Sequence, residues 1–433
     1  MTRASRNSVA AALFVCLAFG GAAAAAQDVY GPAAPAGLGD TAAPVPPGIP
    51  PRLGDAAERA LGTYPSLSAA RSQIRAAESE TEAAKWLRFP SLSVEAVTRN
   101  DHLTPEVEIV QPLWTAGRIR AGIERANALR DVANATLSET ALDILLRLSA
   151  AYFDIARTGR LQAIYEDSLT EHRRLVASME RRVAQEVSPR TDLELARARA
   201  AQVEQQLGFV AAQNEAAKER FLQLVGEPAF EVGPPPEYSS ALHHPSPDGA
   251  VALALRCDPT ITRLTAEVRV AEAERRASRA AIYPQVGIQY SYDRFAGSGL
   301  GLAVRAQSSG GLSPLALADA AAARAQQAEF QVTVAQRQIG EQVSLDLVEN
   351  RSAGARMEST ATAARATLDV TESFLRQFVA GRRTWLDVMN AVREAVEARA
   401  ALVEVQSSAM TSAARLRLRT CAWQPSSDPG STP

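Results

Sequence analysis

Lysine is almost missing from this chain of 433 residues: Lys85 and Lys218 are the two present, and the rest of the basic charge is arginine. Cysteine (three) and histidine (four) are too scarce for a disulfide framework or a Cys/His zinc module. Aromatic residues make up only 5%, too few for a large globular core built on rings. A formal net charge of -2 gives no reason to expect nucleic acid as a partner. Beyond the N-terminal segment no stretch approaches the length of a membrane-spanning helix, so membrane contact by the mature chain must come from another device. No nucleophile elbow, phosphate loop or ligand cluster is found, so no enzyme, cofactor or metal is expected. Alanine, by contrast, is about a fifth of the chain, and hydrophobic residues reach 46% against 22% charged. That composition excludes disorder and suits long helices in close contact.

Arg3 and Arg6 precede an apolar run from Val9 to Ala18 and the string Ala22 to Ala26. This is the pattern of a secretory signal peptide over residues 1–26, with Cys16 leaving in it. Residues 27–52 carry Pro32, Pro35, Pro44, Pro46, Pro47, Pro50 and Pro51 and read as a Pro/Ala-rich linker.

Proline then maps the architecture. None occurs between Pro112 and Pro189, or between Pro314 and Pro425. Proline in a helix interior costs about 3 kcal/mol, so these gaps predict very long helices, over 115–186 and 315–378. Val187-Ser188-Pro189-Arg190 and Ala380-Gly381-Arg382-Arg383 turn the chain back, and returning helices follow to about Val225 and Arg419. In the second of these, Trp385, Val388, Val392, Ala395 and Leu402 fit a heptad. Met389, Val396 and Val403 form a second stripe beside it, as in a coiled-coil helix with neighbours on both sides.

Landmarks repeat along the chain. Tyr64-Pro65 and Asp258-Pro259, Phe89-Pro90 and Tyr283-Pro284, and Gly117 and Gly311 are each 194 residues apart. The mature chain therefore reads as a duplication. Residues 53–225 form the first structural repeat and 251–420 the second; 226–250 is a linker at an equatorial belt and 421–433 a tail. Each repeat holds a strand pair, near 90–98 and 106–113, and near 284–293 and 299–307. Val286, Ile288, Tyr290 and Tyr292 alternate with Gln285, Gly287, Gln289 and Ser291, the period of a strand with one apolar face. Tyr290 and Tyr292 are expected to contribute to an aromatic girdle. Four strands cannot close a barrel, and lipid tolerates no open sheet edge, so several copies must pool their strands if these cross a membrane. The upward columns are expected to pair 55–88 with 384–419, and 251–282 with 191–225. His243-His244, in a proline-rich stretch, reads as a solvated loop.

Phe89-Pro90-Ser91-Leu92, Gln111-Pro112-Leu113 followed by Gly117, and the turn from Phe378 through Gly381-Arg382-Arg383-Thr384 to Asp387-Val388 together resemble the TolC-type outer-membrane efflux and secretion proteins, over residues 53–420. The resemblance implies a mainly α fold with a small membrane β-barrel contribution. It implies a homotrimer with a shared 12-stranded barrel in the outer membrane of a Gram-negative bacterium. A helical periplasmic tunnel would dock on a periplasmic adaptor that joins an inner-membrane ABC or proton-driven transporter. The chain would be a passive exit duct for small-molecule efflux or for protein in type I secretion. By position, Asp387 matches a carboxylate ring at the pore aperture and Asn390 stands where a second acidic ring often lies. Arg383 matches a residue that bonds a neighbouring hairpin, and Phe378 replaces a frequent tyrosine. Asp192 is the first-repeat counterpart of Asp387. Docking would use Ser188, Pro189, Arg190, Thr191, Gly381 and Arg382. Glu186 stands where the family usually has glycine, and the Ser188-Pro189-Arg190 form looks more like the branch that secretes large adhesins. Cys257 and Cys421 both fall near the equatorial belt, where a disulfide or two separate thiols are the alternatives. The rival reading is a periplasmic coiled-coil adaptor or structural protein of an envelope complex. An adaptor has one hairpin between β-rich halves, whereas this chain has two hairpins in tandem.

Overall fold

The structure is a computed structural model that describes residues 49–99, 102–233, 247–293, 297–306 and 311–425. The signal segment, most of the first linker, His243-His244 and residues 426–433 lie outside the described residues. The first repeat contains α1 (Pro51–Thr63), α2 (Pro65–Trp86), β1 (Ser91–Arg99), β2 (His102–Trp114), α3 (Arg118–Ala184) and α4 (Arg190–Val225). The second contains α5 (Pro247–Cys257), α6 (Pro259–Ala280), β3 (Gln285–Asp293), β4 (Gly297–Arg305), α7 (Ser313–Val379) and α8 (Trp385–Arg419).

The two long helices were expected to differ in length; both have 67 residues, which at 1.5 Å per residue is about 100 Å. At its start α3 is trimmed by Ala116 and Gly117, both with positive φ, and at its end by Glu186 at φ 58°. The half-length helices are each broken in two. Proline pushes the residue before it out of the helical region, so Tyr64 (ψ 126°) and Asp258 (ψ 124°) become extended joints between α1 and α2 and between α5 and α6. The Asp258 side chain accepts a bond from Thr260 N–H (2.8 Å) and so caps α6, which Tyr64 cannot do for α2.

The columns pair differently from the expectation. Thr63 at the end of α1 donates to the Val225 carbonyl at the end of α4 (3.2 Å), and Arg59 binds Glu227. Cys257 at the end of α5 is joined to Cys421, just past α8. Each short helix thus continues the returning helix of its own repeat: α4 leads into α2, and α8 into α6. The second column lies between the two long helices, with α6 and α8 each packed on both α3 and α7. Length bookkeeping could not separate the two pairings, because the returning helices are nearly equal, at 36 and 35 residues.

Alanine explains the close fit. Ala266, Ala273 and Ala280 recur every seven residues along α6, while Ala321, Ala328 and Ala335 do the same along α7, and all are buried. Small side chains at the seam let helix axes approach toward the short end of the 8–10 Å range. Larger residues gather at two levels. One cluster joins Leu53 and Leu61 of α1 to Tyr152, Phe221, Leu418 and Trp423 at the belt. The other joins Met179, Leu193, Phe378, Trp385 and Val388 at the hairpin ends.

Candidate functional site: the sheet and the hairpin tips

The strands form one antiparallel sheet in the order β1-β2-β3-β4, so β1 and β4 each present an unpaired edge within the chain. Register sets Leu92 opposite Ile109, Val94 opposite Val107, Ile109 opposite Tyr290, and Tyr290 opposite Leu300. One face is therefore largely apolar, with Gln111 opposite Ile288 and Ser298 opposite Tyr292 as exceptions. It is also exposed, with Leu92, Val94, Leu300, Leu302 and Val304 all more than 60% accessible. Among the described residues no helix covers it, and an uncovered apolar face of this extent marks contact with lipid or protein. The other face is polar. Arg305 on β4 reaches across β3 to bind Glu108 on β2 (2.5 Å) and Gln289 (3.0 Å).

Tyr290 and Tyr292 lie on the apolar face. A second exposed aromatic group, which sequence reasoning missed, sits where the strands meet the helices: Trp86 and Phe89 (ring centroids 5.0 Å apart), Trp114 and Tyr283. Its signature was available, since each of these residues lies within a few positions of a strand end. At the same level a bulge between Pro112 and Trp114 shifts the register. Gly287 packs so tightly on the Gln111 carbonyl that a Cβ would stand 2.8 Å from it, so only glycine fits.

At the other end of the long helices, both turns close in the same way. Glu186 N–H bonds the Val183 carbonyl (3.0 Å) and Val187 N–H the Arg182 carbonyl (2.9 Å); Gly381 with Phe378 (3.0 Å) and Arg382 with Gln377 (2.9 Å) repeat the pattern. Thr384 and Asp387 form a reciprocal capping box at the start of α8. The Thr384 hydroxyl donates to the Asp387 carboxylate at 2.8 Å. That bond, the Thr384 backbone N–H and the nearby Arg383 charge hold the carboxyl of Asp387 below its ordinary range.

Arg383 stands 3.8 Å from Asp387, bonds Gln377 (3.3 Å) and lies over the Phe374 ring (4.1 Å). Among the described residues all its partners belong to its own hairpin. Phe378 is buried, packs near Trp385 (6.1 Å) and carries the Arg182 guanidinium of the first hairpin over its face at 4.3 Å. This cation–π contact is a cross-link between the hairpins near their tips that sequence reasoning did not foresee. Asn390 is exposed; Asp192 is half-buried in the first turn of α4. Pro189, Arg190, Thr191, Gly381 and Arg382 are exposed at the tips, and Ser188 is half-buried. Cys257 and Cys421 form a disulfide with Cα atoms 6.4 Å apart.

Residues 56–227 match the family model described as outer membrane efflux protein. Over that part of its length the chain is similar to this family. The outer membrane efflux protein BepC of Brucella suis biovar 1 (strain 1330) is 24% identical to this chain over 321 residues, 70% of this chain and 68% of that one. Among solved structures, the outer-membrane channel OprN superposes with a TM-score of 0.78 at 19% identity, over 87% of this chain and 92% of its own. VceC of Vibrio cholerae superposes at 0.74 with 21% identity, over 86% and 96%. The chain shares with these channels a mostly helical fold with a small antiparallel sheet.

Proposed function

We propose that this chain is an outer-membrane protein, three copies of which form the passive exit duct of a tripartite export system, closing a shared barrel of 12 strands above a helical tunnel. One observation carries the reading: a four-stranded sheet with an exposed apolar face and two unpaired edges, mounted on 67-residue helices. Lipid does not tolerate the open edges, so sister strands must close them. The conserved path of the two turns supports the tips as the docking end, through Ser188, Pro189, Arg190, Thr191, Gly381 and Arg382, for a periplasmic adaptor that couples the duct to an inner-membrane pump. Asp387, with Asp192 at the matching place and Asn390 one turn on, would line the aperture. Phe378 and Arg383 would hold the closed hairpins. Small-molecule efflux is the cargo class favoured by the family description and by the name of the Brucella relative.

A second reading, export of large proteins, is favoured by Ser188-Pro189-Arg190 at the first tip. Mass measurement of the detergent-extracted oligomer tests the duct: three chain masses support it, and a water-soluble monomer overturns it. Deletion of the protein then separates the cargo readings, through drug sensitivity in one case and loss of a secreted protein in the other.

A further inference from the structure

Resting on the reading that copies pool their strands, we propose that β4 of one copy pairs with β1 of the next in the register that sets Arg305 opposite Glu95 of the partner subunit. The internal repeat fixes this register. β1 maps onto β3 by 194 positions, Ser91 onto Gln285. Ser91 pairs with Val110, and Gln285 pairs with Arg305, so β2 maps onto β4 by 195 positions, Val110 onto Arg305. Between the repeats of one copy, β2 and β3 pair with Val110 opposite Gln289. Applied once more, the repeat operation carries Val110 to Arg305 and Gln289 to Glu95 of the partner subunit. It also carries Ile109 opposite Tyr290 to Val304 opposite Ala96 of the partner subunit.

The chemistry agrees with this register independently. Inside its own copy Glu95 stands directly opposite Glu106, both are exposed, and neither has an ion-pair partner among the described residues. Like charges directly opposite each other weaken an antiparallel pair. Arg305 is 57% exposed on its side chain and uses one nitrogen on Glu108 and Gln289, which leaves donors of its guanidinium for a further carboxylate. The seam thus brings an arginine to Glu95, which faces a second acid inside its own copy. Both faces continue across it: Arg305 and Glu95 are polar-face residues, while Val304 and Ala96 belong to the apolar face. A slip by one residue would turn the charges toward lipid.

Paired cysteines test the register in the full chain within membranes. In one copy position 95 lies level with Gly297, through Glu106 and Asp293, so position 305 is three strand spacings across and eight residues along, about 30 Å away and beyond the reach of a disulfide. The native cysteines are already joined to each other. Glu95→Cys combined with Arg305→Cys is expected to convert most of the oxidised protein to covalent multiples of the chain, lost on reduction and absent from either single variant. The register is overturned if the oligomer keeps its intact mass but this pair stays unlinked, or if Ser93→Cys links to Arg305→Cys in its place. A monomeric extract overturns both the register and the proposed duct. As a second measurement, Arg305→Glu is expected to lower the temperature at which the oligomer dissociates, and adding Glu95→Arg to restore it; a double variant no better than the single one overturns the ion pair.

Discussion

Glu186 and Gly381 hold the same place in the two hairpin turns, both with left-handed backbone, at φ 58° and 71°. Past them the first helix begins at Pro189 with no side-chain cap, and the second at Thr384 with a complete capping box. The belt shows a similar contrast. The first repeat joins its short and returning helices through an exposed Arg59–Glu227 pair and an aromatic cluster of Tyr152, Phe221 and Phe230. The second joins them covalently, Cys257 to Cys421. One backbone path is thus held by two different sets of interactions. The two repeats share a geometry, while the residues that enforce it differ.

The belt should break first. Cys421→Ser removes a cross-link over a separation of 164 residues, and chain entropy assigns such a loop up to about 5 kcal/mol. Thermal unfolding should fall sharply, and reductant should do the same to the natural chain but not to the variant. In the first repeat Phe221→Ala empties a fully buried site and should cost about 4 kcal/mol, read by denaturant unfolding. Arg59→Ala should change the same measurement by less than about 1 kcal/mol, because both members of its ion pair are about half exposed.

Effects at the tips are smaller. Thr384→Ala removes the cap of α8 and should cost about 1 kcal/mol, measured as faster amide exchange in its first turn. Glu186→Gly works in the opposite direction. It relieves a left-handed backbone that costs a side-chain-bearing residue about 1 kcal/mol, so the first tip should gain protection while Gly381→Ala loses it. Acid should separate the tips without mutation. Asp387 has a lowered folded-state pKa, so its contribution is complete above the ordinary aspartate value of about 3.9 and is lost as pH falls through the lower folded value. Trp385 fluorescence should report that loosening, and Asp387→Asn should abolish the titration.

Much of this was legible in the residues. Proline gaps located both long helices, and period-two alternation located the strands and their apolar face. Phe378-to-Asp387 and its flanks marked the second tip. Other features were not legible, for physical reasons. Tyr64-Pro65 was legible as the opening of a helix, but the separate short helix α1 before it was not, because residues 55–88 read as one helical column. Column pairing was ambiguous because two returning helices of almost equal length satisfy the same length rule. Arg182 lies almost 200 positions from Phe378, and no local pattern announces a guanidinium over that ring. The contact of Arg305 with Glu108 likewise spans the two repeats.

By itself, the sequence determined the duplication, the element types and the face that each strand presents, because these depend on local periodicity and on proline and glycine geometry. Tertiary structure alone decided which short helix continues which returning helix, and that Arg182 rather than Arg383 links the two hairpins within a chain. It also decided that Cys257 lies within bonding reach of Cys421. Those outcomes depend on packing between segments far apart in the chain, where many partners share the same local pattern and only the simultaneous fit of all the helices selects one.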